Sequence, residues 1–326
     1  MNNNSIDKLF IHKYQPLYFN DFYMDNEIIN VLKTMILIDN LNILLIGNMA
    51  SGKTSLLNSI IREYYTGYSE KEYKENILYI NSLKEQGINY YRTDVKTFCQ
   101  TCSNINNKKK IIVLDDIDLI NEQSQQVFRN CIDKYKHNVH FISSCSNIQK
   151  VIESLQSRLT IIKIKQLTKN SLISIINNIK NTENIDIDDD AQDFIINISN
   201  NTVKIMVNYM EKFKLLDEKI TYELAVKLCS NISFFTFEKY TQFVLEHNLH
   251  DAIVLIYEIY DKGYSVMDIL DNYFIFVKNT NILNEEQKYK IISFICKYIS
   301  IFHNIHEDEI ELSLFTNNLI NIYKNI

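Results

Sequence analysis

Between residues 41 and 165 the chain sets short, uninterrupted apolar runs between longer stretches whose apolar residues recur at helical spacing. The runs are Leu41–Ile46, Ile77–Ile80, Ile111–Leu114, Val139–Ser144 and Thr160–Ile164. A strand with one face in water alternates apolar and polar residues, whereas a strand covered on both faces does not. Five covered strands separated by helix-length segments predict a parallel five-stranded sheet with helices on both sides. After residue 165 the strand runs stop. Segments 168–182, 188–199, 202–215 and 220–230 read as short helices, with Asp188, Asp189 and Asp190 where carboxylates favour a helix N-terminus. Longer amphipathic segments follow at 236–247, 249–261, 265–278, 284–303 and 307–324. Gly263 stands just past one of them, and Ser265 with Asp268 has capping-box spacing at the start of the next. The expected organisation is an α/β domain over 1–165, a small helical domain over 166–232 and an all-α domain over 233–326.

Composition narrows this further. Five glycines and one proline in 326 residues, where average usage gives roughly 23 and 16, exclude a collagen or a Gly/Pro-rich linker and disfavour a large all-β fold, which needs many tight turns. Of 34 basic residues only Arg62, Arg92, Arg129 and Arg158 are arginine, and Lys, Asn and Ile abound, a bias that fits coding from an AT-rich genome. An arginine kept against such a bias is a candidate for chemistry that lysine cannot supply. The net charge of −6 gives no global attraction for nucleic acid, although a local basic surface stays open. Lys108, Lys109 and Lys110 read as a solvated loop before the third strand. No apolar run approaches a membrane span and the N-terminus has no signal pattern, so a soluble, intracellular protein with no membrane partner is expected. Six scattered cysteines fit a reducing compartment. Cys99 and Cys102 lack a second pair for tetrahedral zinc and read as two thiols on a helix face.

The chemistry concentrates after the first strand. Gly47, Asn48, Met49, Ala50, Ser51, Gly52, Lys53 and Thr54 match G-x-x-x-x-G-K-[ST], directly after a buried strand and before a helix that Ser55 enters. Backbone N–H groups of such a loop wrap phosphates, Lys53 reaches the β and γ phosphates of ATP, and Thr54 ligates Mg²⁺. About sixty residues on, the third run ends in Asp115, Asp116 and, after one residue, Asp118. A buried strand that delivers carboxylates beside a phosphate loop supplies a metal-side residue, Asp115, and a candidate for polarising the attacking water, Asp116.

With these residues in place the sequence resembles the AAA+ ATPases, and among them the small subunits of replication factor C, the sliding-clamp loader. His12-Lys13-Tyr14-Gln15-Pro16 is similar to the family's Glu-Lys-Tyr-Arg-Pro, which implies that Tyr14 and Pro16 lie near the adenine. Ile80–Ile88, with Gly87, resembles Leu-Asn-Ala-Ser-Asp-x-x-Gly-Ile, and Arg92 falls where the family has an arginine facing DNA. The fourth strand resembles the sensor-1 strand, and gap-free alignment sets Ser146, not Asn147, at the position that orients water. Leu155-Gln156-Ser157-Arg158 is similar to Gln-Ser-Arg-Cys, whose arginine reaches the ATP of a neighbouring subunit. Residues 199–208 match the frame of the second sensor, with Lys204 for arginine.

The resemblance implies an α/β P-loop AAA+ domain, a helical lid and an all-α collar. It implies ATP and Mg²⁺ as cofactors, large and small partner subunits in a hetero-oligomeric ring, and a sliding clamp and primer-template DNA to act on. Its place would be a nucleus or a viral replication compartment in the cytoplasm. Asp116 stands for the family's glutamate, one methylene shorter, and a 1 Å misplacement can cost on the order of 100-fold in rate. With Ser146 and Lys204 it keeps two readings open: a hydrolysing subunit, or an ATP-binding subunit that turns over little and supplies Arg158 to its neighbour. A third is another AAA+ machine, an initiator or branch-migration helicase, whose last domain would contain a β-hairpin.

Overall fold

The computed structural model describes residues 9–81, 88–199, 201–216, 218–229, 232, 234–280, 282–302 and 306–324, with the side chains of 81, 88 and 89 left out. Gly87 and most of the Ile80–Ile88 match lie outside the described residues.

Five strands, β1 (Ile43–Ile46), β2 (Ile77–Asn81), β3 (Lys110–Asp115), β4 (Val139–Cys145) and β5 (Thr160–Lys163), form one sheet in the order β2-β3-β4-β1-β5, every neighbouring pair parallel. The uninterrupted apolar runs of the central strands β1, β3 and β4 are explained by what covers them; the edge strands are not covered on both faces, since Tyr79 of β2 and Ile161 of β5 are exposed. Ile43, Leu45, Ile111, Val113 and Ile142 pack into one core with α2 (Asn26–Leu37) and α3 (Lys53–Tyr64). Leu44, Ile112, Leu114 and Phe141 pack into a second core with α5 (Ile88–Gln100), α6 (Glu122–Tyr135) and α7 (Glu153–Gln156). Successive side chains of a strand point to opposite faces, so a residue of either parity must be apolar here. Two further short helices, α1 (Phe10–Lys13) and α4 (Glu70–Tyr73), were not legible as elements, since four residues are too few to show a period.

The chain divides into two compact units, residues 1–179 with 201–211, and residues 180–200 with 212–326. The helices after the sheet are α8 (Lys169–Glu183), α9 (Asp189–Ile198), α10 (Val203–Leu216) and α11 (Tyr222–Cys229), then α12 (Phe234–Leu245), α13 (Leu249–Tyr260), α14 (Val266–Asn279), α15 (Glu285–Phe302) and α16 (Ile310–Lys324). In the second unit α12, α14, α15 and α16 share an aromatic core in which Phe237, Tyr273, Phe276 and Phe315 are buried. Two pairs of buried hydroxyls bond within it: Tyr240 bonds Thr316 at 2.9 Å and Tyr273 bonds Thr241 at 3.2 Å. Ser265 and Asp268 do close a capping box on α14.

Two expectations are corrected. Lys108–Lys110 are not a solvated run. Lys108 Nζ donates to the Tyr64 carbonyl at 2.7 Å and lies over the Tyr64 ring, Lys109 pairs with Asp39 at 2.9 Å, and buried Lys110 lies over the Phe98 ring. The long apolar stems let lysine pack against aromatic side chains while each ammonium finds an oxygen. Cys102 lies past the end of α5 and is exposed, whereas Cys99 on the helix is buried with Cys131, Cys145 and Cys229; Cys296 on α15 is exposed.

Candidate nucleotide site

The loop between β1 and α3 is built by backbone geometry. A Cβ on Gly47 would lie 2.6 Å from Ser51 Oγ and 3.3 Å from the Ile164 carbonyl, so a side chain there would force the loop open. Gly52, the N-cap of α3, has φ 89°, and Ala50 takes φ 57°. A left-handed alanine carries strain of roughly 1–3 kcal/mol, held here by its surroundings. Among the described residues the N–H groups of Asn48, Met49, Ala50 and Gly52 find no acceptor, and those opening α3 are unpaired as at any helix start. Ser51 Oγ is buried with no hydrogen-bond partner among the described residues. So many free donors at the positive end of a 12-residue helix make a site for an anion.

Buried Lys53 spends two ammonium protons on this loop and one just past the end of β4. Its Nζ donates to the carbonyls of Gly47 and Asn48, each at 2.9 Å, and to Ser146 Oγ at 3.1 Å. The sheet order sets β4 between β1 and β3, so the acidic end of β3 reaches the loop across β4. Ser144 on β4 makes that bridge: its hydroxyl donates to Asp115 Oδ1 and accepts the Asp116 N–H at 3.0 Å. The other carboxylate oxygen, Asp115 Oδ2, accepts from Thr54 Oγ1 at 2.7 Å. A hydroxyl and a carboxylate already this close fit the oxygen ligands that Mg²⁺ takes from protein beside a phosphate.

Asp116 follows with left-handed backbone, φ 53° and ψ 56°, and opens the 3₁₀ turn Ile117–Leu119. Burial, and after it the charge of Asp115, pushes its carboxyl above the usual range, with Lys53 opposing. A carboxylate moved in that direction is a better proton acceptor near neutral pH. Asp118 faces the end of β4: its Oδ2 accepts the N–H groups of Ser146 at 3.3 Å and Asn147 at 3.0 Å, and its Oδ1 is buried without a hydrogen-bond partner among the described residues. Asn147 itself caps the turn Ile148–Lys150 through Gln149 N–H, at 2.9 Å. Ser146, not Asn147, is thus the residue presented to Lys53.

The remaining candidates are dispersed. Tyr14 caps the end of α1 and meets Phe10 edge-on, and Gln15 Nε2 lies 3.5 Å from Ser55 Oγ, which brings the segment ending in Pro16 beside the first turn of α3. Lys204 is exposed on the first turn of α10, with no hydrogen bond or ion pair among the described residues. Arg158, just after α7, bonds within its own domain rather than to the phosphate loop: Nε donates to Asp133 Oδ1 at 2.7 Å and Nη1 to the Ser154 carbonyl at 2.6 Å.

Three side chains that organise the site have no role assigned by the sequence. Ser144 left a signal, a second serine inside an apolar strand, and Asp118 another, the third acid of the cluster. Gln125 left none. Its buried amide donates to the carbonyls of Ile120 and Lys150, both at 2.9 Å, and accepts the Ile152 N–H at 2.9 Å, tying the turn after β3 to the turn after β4.

Residues 43–167 match the model of the ATPase family associated with various cellular activities (AAA), and residues 236–300 match the replication factor C C-terminal domain. A protein of Acanthamoeba polyphaga mimivirus described as a replication factor C small subunit is 28% identical, covering 86% of this chain and 87% of its own length. The replication factor C small subunit of Methanococcus maripaludis is also 28% identical, over 86% of this chain and 89% of its own. Among solved structures, the Thermotoga maritima RuvB Holliday junction branch migration motor superposes with a TM-score of 0.55 at 14% identity, over 85% of this chain and 98% of that one. At that identity the likeness is one of fold.

Proposed function

The chain is a replication factor C small-subunit-like AAA+ clamp-loader protein, and from that premise we propose that it is an ATPase subunit of a hetero-oligomeric loader that places a sliding clamp on primer-template DNA. The observation that carries the reading is the 2.7 Å bond from Thr54 on the phosphate-loop helix to Asp115 on the acidic strand, beside Lys53. Two independent elements meet there with the donor set that a nucleotide and its metal require.

In this reading Gly47–Ser55 bind the phosphates of ATP, and Lys53 exchanges its bonds to the loop carbonyls for phosphate oxygens. Tyr14 and Pro16 lie on the adenine side. Thr54 and Asp115 would hold Mg²⁺, which when bound neutralises phosphate charge. Asp116 accepts a proton from the attacking water, and Ser146, fixed by Asp118, orients it. Lys204 would approach from a lid over 166–232, and 233–326 would form the collar. Arg158 would reach the nucleotide of the next subunit, where such a residue is worth roughly 10³ or more in rate. The match of 236–300 to the replication factor C C-terminal domain favours this over an initiator or a branch-migration motor.

The test is the ATPase rate of the reconstituted complex with and without primed template and clamp. Stimulation by the full set is expected; no stimulation refutes the assignment. Lys204, exposed and without a hydrogen bond or ion pair among the described residues, favours a second reading, a subunit that binds ATP and hydrolyses little. Lys53→Ala separates the two. Loss of most of this subunit's share of hydrolysis with assembly intact supports the first, and disturbed assembly with total hydrolysis kept supports the second.

A further inference from the structure

Arg158 follows α7 with 27% of its side chain exposed, at a place where a free arginine would sample many rotamers. It is not free. The guanidinium is planar, with five donors in a fixed fork, so holding two of its nitrogens fixes the direction of the third. Nε donates to Asp133 Oδ1 at 2.7 Å, and Nη1 donates to the Ser154 carbonyl at 2.6 Å and to Ser157 Oγ at 3.2 Å. Among the described residues nothing takes the two protons of Nη2.

Asp133 lies on α6, one turn after Arg129, whose Nε stands 3.7 Å from the second carboxylate oxygen. One carboxylate between two guanidiniums leaves the trio with a net charge of +1. An aspartate facing Arg158 alone would cancel the charge that a phosphate is to feel; with Arg129 on its other oxygen it does not. The bond from Arg158 holds the Asp133 carboxyl below its usual range, so it stays ionised at any pH at which the complex works.

We propose that Asp133 is a positioning residue for Arg158: it grips Nε, leaves the Nη2 edge free, and so delivers a pre-oriented fork to the nucleotide of the neighbouring subunit. This rests on the reading of Arg158 as the residue that acts in that neighbour's site. A pre-aligned fork loses less freedom when it meets a phosphate, and the gain falls on the rate of the chemical step rather than on nucleotide affinity.

The test is a double-mutant cycle in the reconstituted complex with primed DNA and clamp, reading kcat and KM for ATP. Arg158→Ala is expected to lower kcat about tenfold or more. Asp133→Ala is expected to lower it about three- to fivefold with KM within about twofold, and Asp133→Glu to restore most of the loss. The double variant should be no slower than Arg158→Ala alone, because Asp133 acts only through Arg158. Asp133 is 42% exposed, so the fold should tolerate its loss; isosteric Asp133→Asn replaces alanine if assembly suffers. If Arg158→Ala leaves kcat unchanged, the reading of Arg158 fails. If Arg158→Ala slows the complex and Asp133→Ala does not, or the two losses multiply, the positioning role is refuted and the arginine stands. A faster Asp133→Ala complex also overturns it, since the aspartate would then be holding the guanidinium back.

Discussion

His140 sits on β4 with its ring fully buried, and both ring nitrogens are occupied. Nδ1 accepts the Leu41 N–H at 3.3 Å, which assigns the proton to Nε2, and Nε2 meets Asp39 Oδ1 at 3.0 Å. Burial pushes the imidazole down from 6.5 to about 4, although Asp39 pulls the other way. Between those values the unfolded chain takes up a proton that the native ring refuses. Stability therefore falls as pH drops from about 6.5 to about 4, by up to ~3 kcal/mol, and this group adds no slope above 6.5. Urea melts from pH 7.5 to 4.5 should show that decline, and His140→Gln should remove most of it. Asp39 contributes below this window, since bonds from Lys109, Tyr64 and His140 outweigh its burial and hold its carboxyl under the usual range.

Gln125 belongs to the scale of elements, since one amide joins the 3₁₀ turn after β3, the turn after β4 and the start of α7. Gln125→Leu would leave two carbonyls and one N–H without partners, and such groups cost roughly 1–3 kcal/mol each when buried. A loss of ~3 kcal/mol or more in unfolding free energy, at unchanged denaturant slope, is expected, against almost none for exposed Gln126→Leu next to it. The sequence reads as two glutamines in a row; only the turn of the helix tells them apart. By contrast all five strands and the helices from 169 onward were legible to within a few residues, because short apolar runs and helical periodicity both leave marks in local sequence. The phosphate loop was legible for the same reason, being one contiguous segment. The bond from Thr54 to Asp115, the bridge through Ser144 and the clamp of Asp133 on Arg158 join residues far apart in the chain, and no local pattern encodes such a pairing. Half-buried Lys108 and buried Lys110 were misread because charge alone does not reveal an aromatic neighbour.

For the whole molecule the division into two units makes ligand binding a local event with a global readout. A ligand that binds the folded state at 100 times its Kd adds ~2.7 kcal/mol of stability. With ATP and Mg²⁺, hydrogen exchange should slow over 43–64 and 110–118 and stay unchanged over the aromatic core of 234–324; Lys53→Ala should abolish the protection. Equal protection of both units would show that nucleotide energy is shared with the C-terminal helices even in the isolated chain.

Four of the six thiols are sealed inside the protein, and the two that meet solvent fall one in each unit, Cys102 after α5 and Cys296 on α15. For single-molecule spectroscopy this is a ready-made pair of attachment points. A donor and an acceptor dye coupled to the native protein would report the separation of its two units with and without nucleotide, without one engineered cysteine.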